Sequence, residues 1–438
     1  MTRSSVTIIY IMATTKKTAE QVFVVGVGMT KFEKPLTKKW DYPDMAREAG
    51  TAALKDAGIL YQDVEAVVAS YCYGEPTSGQ RAVYELGLTG VPVFNTNNNC
   101  SSASSALMLA RLLVLSGQYE CVLALGFEKM ERGLSERFHD RASPVKRHMD
   151  HMIAIGAAPG LVNPQLNTMT SDVIKLFAYA AQEHSTKYGS TLEQCAKIAY
   201  KNHKHSVHNP YACLRKEIPL KYISESKTIC KPITLAMSAP TADGSAAAVV
   251  CSRAFMESRG MQSKAVEIVA QQMVTDLPSS FEQSFMDLAG VGMARKAAED
   301  CYRSSGLTPR DVDVLEVHDC FSCNELFMYE AMGLCPPGRG GELIDSAKWV
   351  PNKKGGAVCR VGGRWVVNPS GGLESKGHPI GATGLAQCAE LNWQLRGEAG
   401  KRQVEEATVA LQHNYGIGGA AVVTMYRKYK PAFENAKL

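Results

Sequence analysis

The chain has 438 residues, of which 45% are hydrophobic and 21% charged, with 37 Gly and 19 Pro. At about 150 residues per unit this predicts roughly three structural units and excludes a small module, a fibrous repeat and long disorder. The formal net charge of +5, spread without long Lys/Arg runs, excludes the electrostatic footprint of a nucleic-acid binder and leaves acidic small molecules as ligands.

Residues 1–20 hold Arg3, Lys16 and Lys17, several hydroxyl residues and no acid before Glu20. That is the composition of an organellar transit segment or a flexible extension, and Met12-Ala13 reads equally well as an alternative start. From residue 21 onward, amphipathic helices alternate with apolar strands. Residues 45–73 read as a helix stopped at Gly58, a turn, and a strand over Val64 to Ser70. The run Asn97-Asn98-Asn99-Cys100-Ser101-Ser102-Ala103 opens a long helix ending at Leu115-Ser116-Gly117, and a strand follows over Cys121 to Leu125. Residues 130–237 break the pattern: they are polar, hold most of the ten His and carry a helical stretch over Thr191 to His203. They read as an inserted domain over one face, after which Ala246 to Cys251 returns the chain to the first half as a strand.

Residues 293–321 then align without a gap with residues 45–73. Met293-Ala294-Arg295 falls on Met45-Ala46-Arg47, Gly306 on Gly58, Asp311-Val312-Asp313 on Asp63-Val64-Glu65, and Cys320-Phe321 on Cys72-Tyr73. The copy again ends in a strand, Val312 to Val317. A helix after Gly377, ending at Leu395-Arg396-Gly397, and a strand over Ala407 to Leu411 mirror the helix after Cys100 and its strand. Extra residues of the second copy fall in the Gly/Lys-rich stretch Pro336 to Val367. The prediction is an α/β fold of two duplicated βα halves with mainly parallel sheets. Residues 21–129, completed by 238–261, form the first half, 130–237 the insertion, 262–430 the second half and 431–438 a tail. The cleft between the halves is the expected place for chemistry.

No run approaches the roughly 18 apolar residues of a membrane-spanning helix. The 13 Cys, odd in number and not preceded by a secretory signal, read as reduced thiols in an intracellular compartment. The tail ends Ala436-Lys437-Leu438, one small-for-small change from the Ser-Lys-Leu peroxisomal signal. This predicts a peroxisome or peroxisome-like microbody matrix, with the mitochondrion as the alternative given the N-terminal composition.

Four constellations could carry chemistry. Cys100 opens a helix, where the dipole and free N–H groups are expected to favour thiolate and lower the pKa; a buried packing Cys is the competing reading. The stretch Gly372 to Gly384 crowds His378 against a helix start, although a phosphate-cradling loop lacks its Lys-Ser/Thr ending. His318-Asp319-Cys320-Phe321-Ser322-Cys323 lies just past a strand end, where ligand sites of α/β sheets gather. Its single C-x-x-C leaves a redox or zinc reading open without the second pair zinc requires, and no metal is predicted. Gln412 to Ala420 is a glycine-rich turn that could present N–H groups to an oxyanion. His203, His205 and His208 read as a solvated helix face, and Gly26-x-Gly28 is too weak for a dinucleotide site.

Two half-repeats, a Cys opening a long helix, Gly377-His378-Pro379 in the mirrored position and a glycine turn near the C-terminus together resemble the thiolase superfamily, from about Val22 to Arg427. His318-Asp319-Cys320-Phe321 makes the chain similar to sterol carrier protein 2-type thiolases. Other thiolases carry Asn-Glu-Ala-Phe there and a second catalytic Cys in a Cys-x-Gly, whose Cys and Gly positions here hold His413 and Tyr415. The resemblance implies αβαβα layers, with the insertion as a loop domain that binds coenzyme A. It implies a 3-ketoacyl-CoA thiolase (acetyl-CoA C-acyltransferase), cleaving to acetyl-CoA or propionyl-CoA in fatty acid or lipid metabolism. Cys100 becomes acylated, Cys320 shuttles the α-carbon proton, His378 activates Cys100, and His318 with His378 binds the enolate oxygen. Backbone N–H groups of Cys100 and of Tyr415-Gly416 form a second oxyanion hole, and Ser238 and His413 are substrate-binding candidates. No cofactor is bound; acyl-CoA and CoA are the partners, in a homodimer. The chain ends soon after the second half, so a fused lipid-carrier domain is not expected. A decarboxylating ketoacyl synthase-type enzyme and a non-catalytic acyl-CoA-binding protein are the alternatives.

Overall fold

The computed structural model describes residues 21–130, 140–158 and 168–430. The transit-like segment and the Ala-Lys-Leu tail lie outside the described residues. The first half runs β1 (Val22–Met29), α1 (Tyr42–Ala57), β2 (Ala66–Ser70), α2 (Ser78–Val83), β3 (Val93–Thr96), α3 (Ser102–Leu115) and β4 (Cys121–Glu128). Next come α4 (Lys146–Ala154), α5 (Thr168–Tyr188), α6 (Leu192–Ser206), α7 (Leu220–Glu225) and the hairpin β5 (Thr228–Cys230) with β6 (Ile233–Thr234). The chain re-enters the sheet as β7 (Gly244–Ser252), followed by α8 (Arg253–Ser258), β8 (Val266–Val274), α9 (Phe285–Leu288) and α10 (Val291–Ser305). The second half continues as β9 (Val314–Glu316), α11 (Ser322–Ala331), α12 (Gly340–Asp345), β10 (Lys348–Pro351), β11 (Ala357–Val361) and β12 (Trp365–Val367). It closes with α13 (Gly372–Lys376), α14 (Thr383–Arg396), β13 (Val409–Gly416) and β14 (Ala420–Lys428).

Local chemistry sets these boundaries. Thr191 and Gln194 form a reciprocal capping box at the start of α6, and left-handed Gly58, Gly306 and Gly397 stop α1, α10 and α14. The strands form one 12-stranded sheet in the order β10-β11-β12-β9-β13-β14-β8-β1-β7-β4-β2-β3. The first half contributes β3-β2-β4-β7-β1 and the second the same order mirrored, β12-β9-β13-β14-β8, which is the architecture of the sequence repeat. Only two residue pairs, Phe23 with Glu267 and Val24 with Val266, join the halves across β1 and β8.

The sheets are not mainly parallel as the helix–strand alternation suggested. β2 pairs in parallel with β3 and β4, and β9 with β12 and β13, but β1, β7, β8 and β14 run antiparallel to their neighbours. Strand β7 returns beside β4 in the opposite sense after the long insertion, which a sequence pattern does not encode, and β14 doubles back on β13 through the tight Gly418-Gly419 turn. The stretch Pro336 to Val367 also does more than form a loop: β12 completes the core order, and β10-β11 extends it at one edge.

Three apolar layers follow from the two-sided burial of the strands. One lies between α1 and the first half, one around α3 and α14, and one between the second half and α10 and α11. Helix α14 touches strands of both halves and packs on α3, so the order is helix, sheet, helix pair, sheet, helix. His203 and His205, read above as solvated, are buried pins of α6. His203 bridges Ser375 Oγ (2.6 Å) and the Ala236 carbonyl (3.1 Å), while His205 bridges the Asn368 carbonyl and the Cys359 N–H, both at 2.9 Å. Four good partners make burial of the two imidazoles affordable, which the polar residue type alone could not reveal.

Candidate active site

The mirrored helices α3 and α14 start side by side, and the segments entering them meet at the floor of one cavity. Before α3 the chain turns at Asn99, whose φ of 52° is the left-handed conformation that Asn tolerates. The helix's own hydroxyls tie this turn: Ser101 Oγ donates to the Asn98 carbonyl (2.8 Å) and Ser102 Oγ to that of Asn99 (2.6 Å). Cys100 is held at its corner. Before α14, Gly377-His378-Pro379 delivers His378, and beyond β9 the loop to α11 delivers His318 and Cys320.

These four side chains line a cavity of about 370 Å³ whose remaining wall is largely apolar, with Met130, Phe177, Leu235, Phe321 and Ile417. Cys100 Sγ and one ring nitrogen from each of His318 and His378 lie within 4.8 Å of one another. The imidazoles meet edge to face, with centroids 5.2 Å apart and planes at 81°. Among the described residues this is the one grouping of His, Cys and acids at metal-binding spacing, and it is also the spacing of a nucleophile and its bases. All 13 cysteines are free thiols, and Cys323, the partner in the C-x-x-C, is buried with its thiol directed at the Phe177 carbonyl.

Hydrogen-bond accounting fixes the tautomers. Thr383 Oγ1 donates to the Pro379 carbonyl (3.1 Å), so it accepts from His378 Nδ1 (2.7 Å). His378 Nε2, buried without a partner, keeps its lone pair. At His318 the arrangement is reversed. Gln412 Nε2 donates to Ser104 Oγ (2.9 Å), Ser104 donates to Asn414 Oδ1 (2.9 Å), and the Asn414 NH₂ therefore faces His318 Nδ1 (3.1 Å). With Nδ1 accepting, His318 carries its hydrogen on Nε2 and is a donor.

Electrostatics departs from the helix-dipole expectation for Cys100. Burial pushes its thiol up to about 12, against a smaller lowering by the backbone N–H, and the buried Glu128 carboxyl nearby adds to the rise. Burial lowers His378 to about 3. His318 is driven well below the usual imidazole range by burial, then by His378 and His413. Cys320 is raised well above the usual thiol range by burial first, then by Cys100, Cys323 and Asp319. Desolvation outweighs the dipole, so the resting site holds two neutral thiols and two neutral imidazoles.

Ser238 lines the cavity as expected, with its hydroxyl turned to the Thr234 carbonyl (3.0 Å). Tyr415 and Ile417 also line it, while Gly416 packs against the Asn98–Ser101 turn. His413 does not line the cavity. Gln412 and Asn414 face the central helices, so His413, one residue out of phase on β13, points into the outer layer. There it is fully buried, with neither ring nitrogen hydrogen-bonded.

Several functional positions escaped the sequence reading. Thr383 and Asn414 set the tautomers. Glu128, ending β4, accepts N–H bonds from Cys72, Tyr73 and Gly381 and so ties the Cys72 loop to the His378 loop. Burial pushes that carboxyl up to about 7. Asp319 accepts from the Leu373 N–H (2.7 Å) and bolts the Cys320 loop to the same segment; at Gly372 any Cβ would collide with its carboxylate. An acid closing an otherwise apolar strand was the one available signal, for Glu128.

Comparison with known proteins agrees with this architecture. The family described as "Thiolase, N-terminal domain" matches residues 22–232, and "Thiolase C-terminal domain-like" matches residues 279–426. Sterol carrier protein 2 of Oryctolagus cuniculus is 56% identical over 93% of this chain and 72% of its own. Non-specific lipid-transfer protein-like 2 of Caenorhabditis elegans is 46% identical over 96% and 99%. Acetyl-CoA acetyltransferase of Methanothermobacter thermautotrophicus is 32% identical over 93% and 99%. Among solved structures, human mitochondrial 3-ketoacyl-CoA thiolase superposes with a TM-score of 0.68 at 17% identity, over 94% of this chain and 100% of its own. An Ltp2-ChsH2(DUF35) aldolase reaches 0.75 at 21%, over 94% and 98%; at such identities these two speak for the fold alone. With both family halves matched in order along one chain that carries the mirrored sheet and the paired central helices, the protein belongs to the thiolase superfamily, in its sterol carrier protein 2 branch.

Proposed function

We propose that the protein is an acyltransferase that cleaves 3-ketoacyl-CoA with CoA, releasing acetyl-CoA or propionyl-CoA and a shortened acyl-CoA, reversibly. The observation that carries this reading is the meeting of two thiols with one acceptor and one donor imidazole in a largely apolar cavity. Thiolysis needs a soft nucleophile, a base for it, an acid for the leaving carbon and donors for two oxyanions.

In this reading Cys100 Sγ attacks the 3-keto carbon while His378 Nε2 takes the thiol proton. A neutral pair at rest means that thiolate forms only as the S–C bond forms, its charge passing to the substrate oxygen. The N–H groups of Cys100 and of the Tyr415-Gly416 turn receive that oxygen. Cleavage of the C2–C3 bond sends the electron pair to the thioester oxygen, which His318 Nε2–H and the protonated His378 stabilise. Cys320 protonates C2 and acetyl-CoA leaves. CoA then attacks acyl-Cys100, its thiol proton going to the Cys320 thiolate. The shortened acyl-CoA leaves as the C–S bond to Cys100 breaks, and the protonated His378 returns its proton to the Cys100 thiolate, which resets the site. No cofactor takes part; the pantetheine arm enters past Ser238.

A panel of 3-ketoacyl-CoA substrates tests the activity. The wild type is expected to cleave acetoacetyl-CoA and Cys100→Ala to lack this; a variant at wild-type rate would sink the assignment, and carbon dioxide release from malonyl thioesters would favour a decarboxylating enzyme. Thr383→Val removes a hydrogen bond of about 1–3 kcal/mol that orients the base, so kcat is expected to fall about 10- to 100-fold with KM little changed. An unchanged kcat would exclude this role for Thr383. We further propose a homodimer paired through β3, one of the sheet's two edge strands, where Phe94 and the nearby Leu88 are exposed. Ala436-Lys437-Leu438 supports a peroxisomal location.

A further inference from the structure

Behind the Cys320 loop, three buried carboxyl groups from three segments converge on one amide. Asn202 Nδ2, on α6, lies 2.7 Å from Glu325 Oε2, 2.9 Å from Asp319 Oδ2 and 3.2 Å from Glu374 Oε2. The orientation of this amide is fixed, because its Oδ1 accepts from Lys201 Nζ. An NH₂ group has two hydrogens, and three acidic oxygens compete for them.

The other donors show which carboxyl goes short. Glu325 accepts from Lys201 Nζ (2.8 Å) and the Tyr329 hydroxyl (2.6 Å) on one oxygen, and from Asn202 and Asn368 Nδ2 (2.8 Å) on the other. Its lone pairs are filled. Asp319 accepts from the N–H groups of Leu373 (2.7 Å) and Glu374 (3.4 Å) as well as from Asn202. Glu374 is left with the Ser322 hydroxyl (2.5 Å) and the longest share of Asn202. One cation, Lys201, faces all three acids.

We propose that Glu374 holds a proton at neutral pH and, as a neutral carboxyl, is a positioning residue. Through Ser322, two residues after Cys320, it keeps the Cys320 loop against the segment that leads to His378. The groups facing it are Asp319 of the catalytic loop, Glu325, Cys323 and Tyr329 of α11, and Lys201 and Cys195 of α6. Burial pushes Glu374 up to about 8, and Glu325 adds to the rise against the lowering by Ser322, Asn202 and Lys201. Burial, then Glu374 and Glu325, also push Asp319 well above the usual carboxylate range, but Asp319 has two backbone N–H donors that only its oxygens can satisfy, so of the two it is Glu374 that holds the proton. Ionising it places another charge beside two acids without adding a cation. Its folded value lies above the ordinary 4.5, so its stabilisation is full below that pH and is lost as pH rises to about 8.

Infrared difference spectra of the whole protein are expected to show a buried carboxylic-acid C=O band that disappears near pH 8. In Glu374→Gln and Glu374→Leu that band is absent, and the melting temperature gained over wild type grows from pH 5 to 8 and is level above. Glu374→Gln retains kcat within about threefold at pH 7, and the alkaline fall of kcat moves to higher pH. The kcat arm rests on the thiolysis proposed above, whereas the infrared and melting arms do not. A wild type without thiolysis therefore overturns that reading alone. A band unchanged in both variants overturns the proton on Glu374. Loss of the band with an unchanged pH profile overturns the positioning role. If neither variant folds, the lack of any carboxylic band titrating near pH 8 in the wild type overturns the proposal.

Discussion

Cys320→Ala is expected to slow CoA-dependent cleavage of acetoacetyl-CoA by about 10²- to 10⁴-fold, the usual worth of a positioned general acid. Acetyl transfer from acetyl-CoA to Cys100 is expected to fall much less, because that half-reaction makes no carbanion and asks of Cys320 only a proton for the departing CoA thiolate, a far better leaving group. The contrast follows from the geometry: Cys100 has His378 as its own base, while Cys320 comes from the opposite loop with no imidazole assigned to it. Measuring both half-reactions in one variant separates a lost acid from a collapsed pocket. If both fell by the same factor, Cys320 would be a packing residue.

Lys201→Met is expected to cost about 3–5 kcal/mol of stability, since it strips the one cation from a buried acidic cluster and leaves the charge uncompensated. Lys201 is 1% exposed, pairs with Glu325 at 2.8 Å and donates to the Val367 carbonyl at 2.8 Å. Against a total stability of about 5–15 kcal/mol, such a loss lowers the denaturation midpoint far beyond the effect of an exposed lysine. The double replacement Lys201→Met with Glu325→Leu is expected to recover part of it, because burying neither charge costs less than burying one. Urea denaturation of both variants checks this, and a single variant within about 0.5 kcal/mol of wild type would contradict it.

Much of the fold was legible because its signals are local. The helix after Cys100 ends at Leu115 as read, that after Gly377 at Arg396, and the duplicated segments before Cys72 and Cys320 occupy matching places in the mirrored sheet. Strand direction was only partly legible: β7 is antiparallel to partners brought from far along the chain, whereas β14 doubles back on β13 through the Gly418-Gly419 turn, a local signal read above as a ligand loop instead. The same limit applies to the site. Cys100, His318, Cys320 and His378 stand out by residue type and by their place at helix starts and strand ends. Thr383, Asn414, Glu128 and Asn202 act through hydrogen bonds decided only once loops meet. The polar look of His203, His205 and His208 suggested a solvated face, which holds for His208, while His203 and His205 are buried with both ring nitrogens bonded. The dipole argument for Cys100 failed for a related reason: a helix N-terminus is visible in sequence, but the depth at which it is buried is not.

The central claim is that Cys100 carries the acyl group between the two thioesters. Intact-protein mass spectrometry after brief mixing with acetoacetyl-CoA, followed by peptide mapping, tests it most directly. The account predicts one acetyl adduct, on the peptide containing Cys100, removed by added CoA and absent from Cys100→Ala. An adduct on another cysteine, or cleavage that proceeds with no adduct in the wild type and at full rate in Cys100→Ala, would contradict it.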